Sequence, residues 1–429
     1  MKKQMMKQIS VTFLTTLLMT AAVVGLIACQ SGLVGPSKGA PEGSSAANDN
    51  AQLSKKNSST DPKNQSWAIQ MQNLSSDLTD LLPLAFNADA FRDKANEVLI
   101  QEKLRSLDEN AKAIQHSPMQ TIVDPSVNFI SYDFHDQVKR VRESFAEGKK
   151  DFARYELIST SHFCIECHTR SAAGPAFGTE RFNEGMLKLN PLDRADYLTA
   201  IRHFDHALEI YLDYFKESAS KKINALQSEK AALSALVITV RYQNDANKAA
   251  RLADAVQKSP HTPYYLKLAA GAWAADIQDW IKENIAFNAN NKKKAIGAAG
   301  KFDLKAPKSW IEKSQTRRFE KGALGGEVLA LRSIAALNAA LPTLQGKEAR
   351  AEAFYLLGQS YLSSVFSEHT NLGEKYLESC IRTFPKTPWS KKCYQKYEEV
   401  VYSNYTGSAG TFMPADEEIR LQELYKLVE

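Results

Sequence analysis

No stretch of the 429-residue sequence beyond Lys63 alternates apolar and polar side chains, which excludes a sheet-built fold; the apolar periodicity is helical almost throughout. No nucleophile elbow, zincin helix or paired-carboxylate motif stands out, and Asp and Glu are spread along solvated helix faces, so no side-chain constellation for hydrolysis is present. Gly300 and Lys301 are followed by Phe302 rather than Ser or Thr, which rules out a phosphate loop. Cysteine is scarce, with five residues in all, and a formal net charge of +5 offers no basic excess of the kind nucleic-acid binding draws on.

The N-terminus reads as a leader. Lys2, Lys3 and Lys7 precede an apolar run from Val11 to Ala28, too short and wrongly flanked for a spanning helix and matched to a secretory signal. The run ends Leu26-Ile27-Ala28-Cys29, which resembles the lipobox of bacterial lipoproteins. That resemblance implies a signal peptide over 1–28, lipidation of Cys29 and export of everything after it. Cleavage takes three lysines and no acid, so the formal charge falls from +5 to +2, and the remaining chain of about 400 residues can bury two or more cores. Residues 29–63 are Ser, Gly, Ala, Asn, Asp and Pro with almost nothing apolar, and cannot offset their ordering entropy. They are expected to be a flexible tether.

Four helices are expected within 64–175. Trp67, Met71, Leu74, Leu78 and Leu81 recur at steps of 4, 3, 4 and 3 on a helix that should stop near Pro83. Ile100, Leu104, Leu107, Ala111 and Ile114 repeat the pattern up to Ser117-Pro118. A third helix carries Ile130, Phe134, Val138, Val141 and Phe145, and after Gly148 a fourth carries Phe152, Tyr155 and Ile158 into Cys164. Short connections suggest an up-down-up-down bundle.

The fourth helix runs into "FCIECHTR". A Cys-x-x-Cys pair can hold zinc, cycle as a redox disulfide or, with His following, carry covalent haem. Zinc requires two further ligands of suitable spacing, and thioredoxin-like chemistry requires a preceding strand; neither is visible. In an exported chain the pattern is that of c-type haem attachment: Cys164 and Cys167 as the thioether residues, His168 as the proximal iron ligand. In an up-and-down bundle the start of the first helix, the end of the second and the end of the fourth share one end. Met71 and His116 are therefore the candidate distal ligands, and an iron with an open position is the third alternative. His162 cannot reach the opposite haem face, and His135 reads as a solvated or capping residue.

The placement of this motif at the end of a fourth helix, "DFARYELISTSHFCIECHTR", resembles the class II c-type cytochromes, the cytochrome c-prime type and its low-spin relatives, over about a quarter of the chain. In the low-spin members a Met near the start of the first helix is the sixth ligand, and Met71 matches that place. The second helix and the connection from Met119 to Val127 are longer than is common there.

Residues 176–429 are expected to form an α-solenoid of helix pairs. "YLTAIRHFDHALEIY" places Ala200, Phe204 and Ala207 at the spacing of the second helix of a tetratricopeptide repeat. "AEAFYLLGQSY" with "NLGEKYLESCIRTFP" gives Leu357, Gly358 and Tyr361 followed by Gly373, Leu377, Cys380 and Pro385, which resembles one such repeat with about three extra residues between its helices. Ala231–Lys258 and Tyr264–Lys282 fit helix pairs. His203 and His206 read as a surface pair, and 288–308, with Lys292, Lys293, Lys294, Lys301 and Lys305, as a mobile basic loop. With Cys29 lipidated and two cysteines on haem, Cys380 and Cys393 remain. They flank a helix end, a turn and a helix start, and can form a disulfide in an oxidising compartment.

These readings predict a membrane-anchored, periplasm-facing monohaem cytochrome that transfers electrons rather than acting as an enzyme, and that docks a redox or envelope protein on its repeats. The alternatives are a pentacoordinate haem protein that binds small ligands or peroxide, and a haem-containing scaffold or sensor lipoprotein. Gln30, where inner-membrane lipoproteins commonly carry Asp, favours the outer membrane by family analogy.

Overall fold

The computed structural model describes residues 62–115, 125–170, 184–217, 224–260, 262–293, 302–365 and 371–429. The leader 1–28, Cys29, most of the tether 29–63, and His116 lie outside the described residues. Residues 59–429 form one compact unit, and the described part is all-α apart from a two-residue antiparallel pair, Thr406–Gly407 with Gly410–Thr411.

The first four long helices are α1 (Pro62–Phe86), α2 (Glu97–Gln115), α3 (Pro125–Ala146) and α4 (Lys150–His168), each packed on the next, with α1 also meeting α4. Every residue of the α2 stripe, Ile100 to Ile114, and of the α3 stripe, Ile130 to Phe145, is buried. Two expectations fail. Pro83 does not end α1 but sits buried inside it; a proline costs the helix one hydrogen bond and a carbonyl clash, and α1 instead ends at Asn87, whose side chain caps the following five-residue helix Ala88–Arg92. On α4, Phe152 and Tyr155 point to solvent, 51% and 55% exposed, while Ala153, Leu157 and Thr160 fill the core. The helix has two apolar stripes, and the one with smaller side chains faces α3. Thr160 enters this core at little cost because its hydroxyl donates to the Leu157 carbonyl.

The second stretch contains α5 (Pro191–Ala200), α6 (Phe204–Glu217), α7 (Ala225–Leu236), α8 (Ala246–Lys258), α9 (Tyr264–Lys293), α10 (Lys305–Lys321), α11 (Glu327–Ala340), α12 (Lys347–Leu362), α13 (Leu372–Thr383), α14 (Pro388–Asn404) and α15 (Ala415–Lys426). Neighbours pair as α5 with α6, α8 with α9, α10 with α11, and α12 with α13 and then α14. "YLTAIRHFDHALEIY" is not one helix: Arg202 adopts a left-handed backbone, φ 65°, and breaks it between α5 and α6. Helix also extends through Asn288 to Lys293 and resumes at Lys305, so the expected basic loop is shorter than 288–308; Ala and Lys favour helix strongly enough to continue it. α7 passes into a π-helical turn, Val237–Tyr242, packed on α11. Ala323–Thr343 is long and apolar enough to cross a membrane, but 83% of that window is buried inside the fold.

α12 and α13 approach closely where both lack a side chain. A Cβ on Gly358 would lie 2.7 Å from Leu377, and one on Gly373 2.6 Å from Leu362. Cys380 and Cys393 are joined by a disulfide, Cα to Cα 6.3 Å, which ties the end of α13 to the start of α14. Thr387 and Ser390 form a reciprocal capping box at the start of α14, with Pro388 as its first residue.

Candidate cofactor site

α4 remains helical through the whole motif. Thr169 closes it, its backbone N–H and its hydroxyl both donating to the Ile165 carbonyl, at 3.0 and 2.7 Å. Because successive helical residues turn by about 100°, Cys164, Cys167 and His168 fall within about 100° of one another on one face. All three are partly buried. Cys164 and Cys167 are thiols rather than a disulfide, and the Cys164 sulfur donates to the Thr160 carbonyl at 3.9 Å.

Burial pushes the Cys164 thiol up to about 11, with the nearby Arg202 charge opposing the rise. Burial lowers His168 to about 4, and Arg202 adds to the lowering. The broken turn between α5 and α6 thus has a function in the geometry: it brings a guanidinium close enough to act on both motif residues. The donor set is two reduced thiols and a neutral imidazole on one face. That is the state in which thiols can form thioethers and an imidazole can offer a lone pair to iron, so these residues fit the covalent haem that the motif implies.

The height of Met71 follows from one hydrogen bond. Arg154 Nη1 donates to the Ala85 carbonyl at 2.9 Å, joining the start of α4 to the end of α1 and making the pair antiparallel. Fourteen residues back from Ala85 is Met71, and fourteen residues on from Arg154 is His168. At about 1.5 Å per residue both lie about 21 Å from that contact, toward the same end of the helix pair. Met71 is half-buried and packs on the core. Lys150 Nζ bonds Glu97 at 2.7 Å, so α2 also starts at the far end and finishes at the motif end, one residue before His116.

The other histidines are placed differently. His135 Nε2 lies 3.3 Å from Asp108, which also pairs with Arg142 at 2.7 Å; the His135 and Asp108 side chains are largely buried rather than solvated. His162 lines a cavity of about 80 Å³ with Ser161, Ile165, Asp196, Tyr211 and Lys230, room for two or three waters. The rings of His203 and His206 are 6.0 Å apart, and among the described residues no three or more His, Cys, Asp or Glu side chains gather as a metal site. A larger cleft, about 290 Å³, lies between α9, α10 and α11, where Arg332 is stacked against Trp280 and Trp310 and paired to Glu283 at 2.6 Å.

Sequence spacing missed what adjoins the motif. Glu166, one of its two spacer residues, is buried and bonded to Arg241 at 2.6 Å, and Arg170, two residues past His168, is buried against Tyr376. The one available signal was chemical: a glutamate between the two motif cysteines and an arginine two residues past the histidine. No family model, curated protein or solved structure matches the chain.

Proposed function

We propose that the chain is a periplasm-facing lipoprotein in which α1–α4 form a four-helix bundle holding one covalent haem c, used for single-electron transfer. In this reading α5 onward forms a tetratricopeptide-like solenoid on which a redox or envelope partner docks, and Cys29 carries the lipid that anchors the protein, with the outer membrane favoured. The observation that carries the reading is that α4 ends with two reduced thiols and a neutral imidazole on one face.

Cys164 and Cys167 would hold the group through their sulfurs and His168 through a ring nitrogen. Haem c supplies reversible one-electron chemistry at iron. The chain's own contribution is to keep water from the motif, to hold His168 unprotonated and to fix the end of α4 relative to α1. Met71, toward the same end of the helix pair as His168, is the proposed distal ligand; its thioether sulfur is uncharged and needs no deprotonation. The tether lets the folded part stand away from the lipid surface.

The test is the visible and near-infrared spectrum of the purified protein, oxidised and reduced, for wild type and Met71→Ala. The expected result is a low-spin spectrum whose thioether-to-iron charge-transfer band disappears in the variant. A high-spin spectrum that the substitution leaves unchanged would replace electron transfer with small-ligand binding at an open iron. Protein without covalent haem would overturn the reading altogether.

A further inference from the structure

The end of the helix that presents the motif is bonded into the second half of the chain. Counting about 100° per residue, Glu166 lies about 200° round α4 from Cys164 and about 100° from Cys167, and Arg170 follows the last residue of α4 by two. Both reach into the second half of the chain. Arg241 Nη2, on the π-helical turn after α7, donates to Glu166 Oε2 at 2.6 Å, and the Tyr361 hydroxyl of α12 donates to the same oxygen at 2.9 Å. The Arg170 guanidinium donates to the Tyr376 hydroxyl of α13 at 2.5 Å and to Asn338 Oδ1 of α11 at 3.4 Å. Asn338 Nδ2 donates to Tyr361 at 3.4 Å, which closes the circuit, and the Tyr361 and Tyr376 rings stack at 5.4 Å. All six residues are buried.

Four separate elements therefore converge on two side chains of the motif helix, across sequence separations of 75 to 206 residues. A connected cluster of buried polar groups can satisfy its members in few arrangements, so it fixes orientation more sharply than apolar packing does. The arginine sits on a π-turn, an irregularity whose extra residue re-aims side chains and that recurs at functional sites.

We propose that Glu166 and Arg170 are positioning residues through which the second half of the chain sets the orientation of the helix end bearing Cys164, Cys167 and His168. The proposal rests on the haem reading above and goes beyond it: the second half is part of the cofactor's support as well as a docking surface. Coordination at His168 then depends on Arg241, Tyr361 and Tyr376, none of which belongs to the motif.

The test uses the full mature protein. Tyr361→Phe removes one hydroxyl and keeps the ring. The pair Glu166→Gln with Arg241→Met removes both charges together, so that no buried charge is left alone. Two readouts are taken on protein shown by mass to carry the covalent group: the low-spin electron paramagnetic resonance of the oxidised form, and hydrogen exchange of the segment 163–170. The expected result is that the single resonance of wild type divides into two or more species while exchange in 163–170 accelerates at least tenfold, with Arg241→Lys intermediate. Variants that melt earlier but keep the wild-type resonance and exchange would overturn the proposal, because the network would then only join the two halves. If wild type carries no covalent group, the functional reading fails by itself, and exchange at 163–170 still decides whether the second half holds the end of α4.

Discussion

A buried titratable group shows its cost through the pH at which that cost disappears. Asp276 on α9 is 5% exposed at its side chain and meets Arg317 at 3.3 Å; burial raises its carboxyl above the ordinary 3.8, and Arg317 only partly opposes the rise. A carboxyl raised in the folded state holds its proton more tightly there than in the unfolded chain. Wild-type stability therefore increases as pH falls through the raised value toward 3.8, and above that value the charged form carries a constant penalty. Asp276→Asn cannot titrate, so its stability relative to wild type should be highest at pH 7 and decline toward about pH 3. Urea unfolding at both pH values measures this, and a relative stability that grew toward acid would show that Arg317 outweighs burial. His168 shows the opposite shift for a base: at about 4, it is neutral wherever the folded protein works near neutrality.

At the scale of helices, glycine marks where two backbones need to touch. Gly358 and Gly373 each leave room for a leucine of the facing helix, and a methyl on Gly358 would stand 2.7 Å from Leu377 Cγ and 3.2 Å from the Gly373 carbonyl oxygen. Overpacking of this kind costs about 1–3 kcal/mol, against about 1 kcal/mol recovered from replacing Gly by Ala in a helix. Gly358→Ala should thus destabilise by up to about 2 kcal/mol. Gly271→Ala, on α9 with nothing within 4 Å of the new methyl, should stabilise by about the full propensity difference of 1 kcal/mol. Denaturant midpoints of the two variants, moving in opposite directions, check the argument; a shared direction would mean that propensity alone decides both.

The sequence made some of this scale legible and concealed the rest for physical reasons. The stripes of α2 and α3 could be read because their apolar residues recur at a single spacing, and all of those residues are buried. Phe152 and Tyr155 misled because size alone marked them as core, whereas the contact face of α4 is made of Ala153, Leu157 and Thr160. The break at Arg202 carries no Gly or Pro, so no local signal marked its left-handed turn. "CIECH" suggests haem attachment because the residues that chemistry would use lie close together in sequence, but the partners of Glu166 lie 75 and 195 residues away, where no local pattern reaches.

Residues 59–429 make up one compact unit, and the contacts between its earlier and later parts are of the expensive kind. Phe86 packs edge-on against Tyr197 and Phe129 against Tyr376. Lys375 binds Asp133 at 2.5 Å, and the Glu166–Arg241 pair is 8% and 2% exposed at its side chains. Separating a buried pair by loss of one partner costs about 3–5 kcal/mol, a large share of the 5–15 kcal/mol or so that holds an ordinary domain together. An unfolded second half would leave the end of α4 with buried charges unmatched, so neither part is expected to melt while the other stays native. Unfolding of residues 59–429 should accordingly be a single transition. The five tryptophans permit the measurement: Trp67 lies on α1, and the other four, Trp273, Trp280, Trp310 and Trp389, lie on α9, α10 and α14. In a Trp67→Phe variant fluorescence reports only on the second half, while absorption of the proposed haem reports on the end of α4. Coincident midpoints in urea would establish one cooperative unit. An earlier fluorescence transition would mean that the second half unfolds while the end of α4 keeps its structure, and that the two halves are held together more weakly than their buried contacts imply.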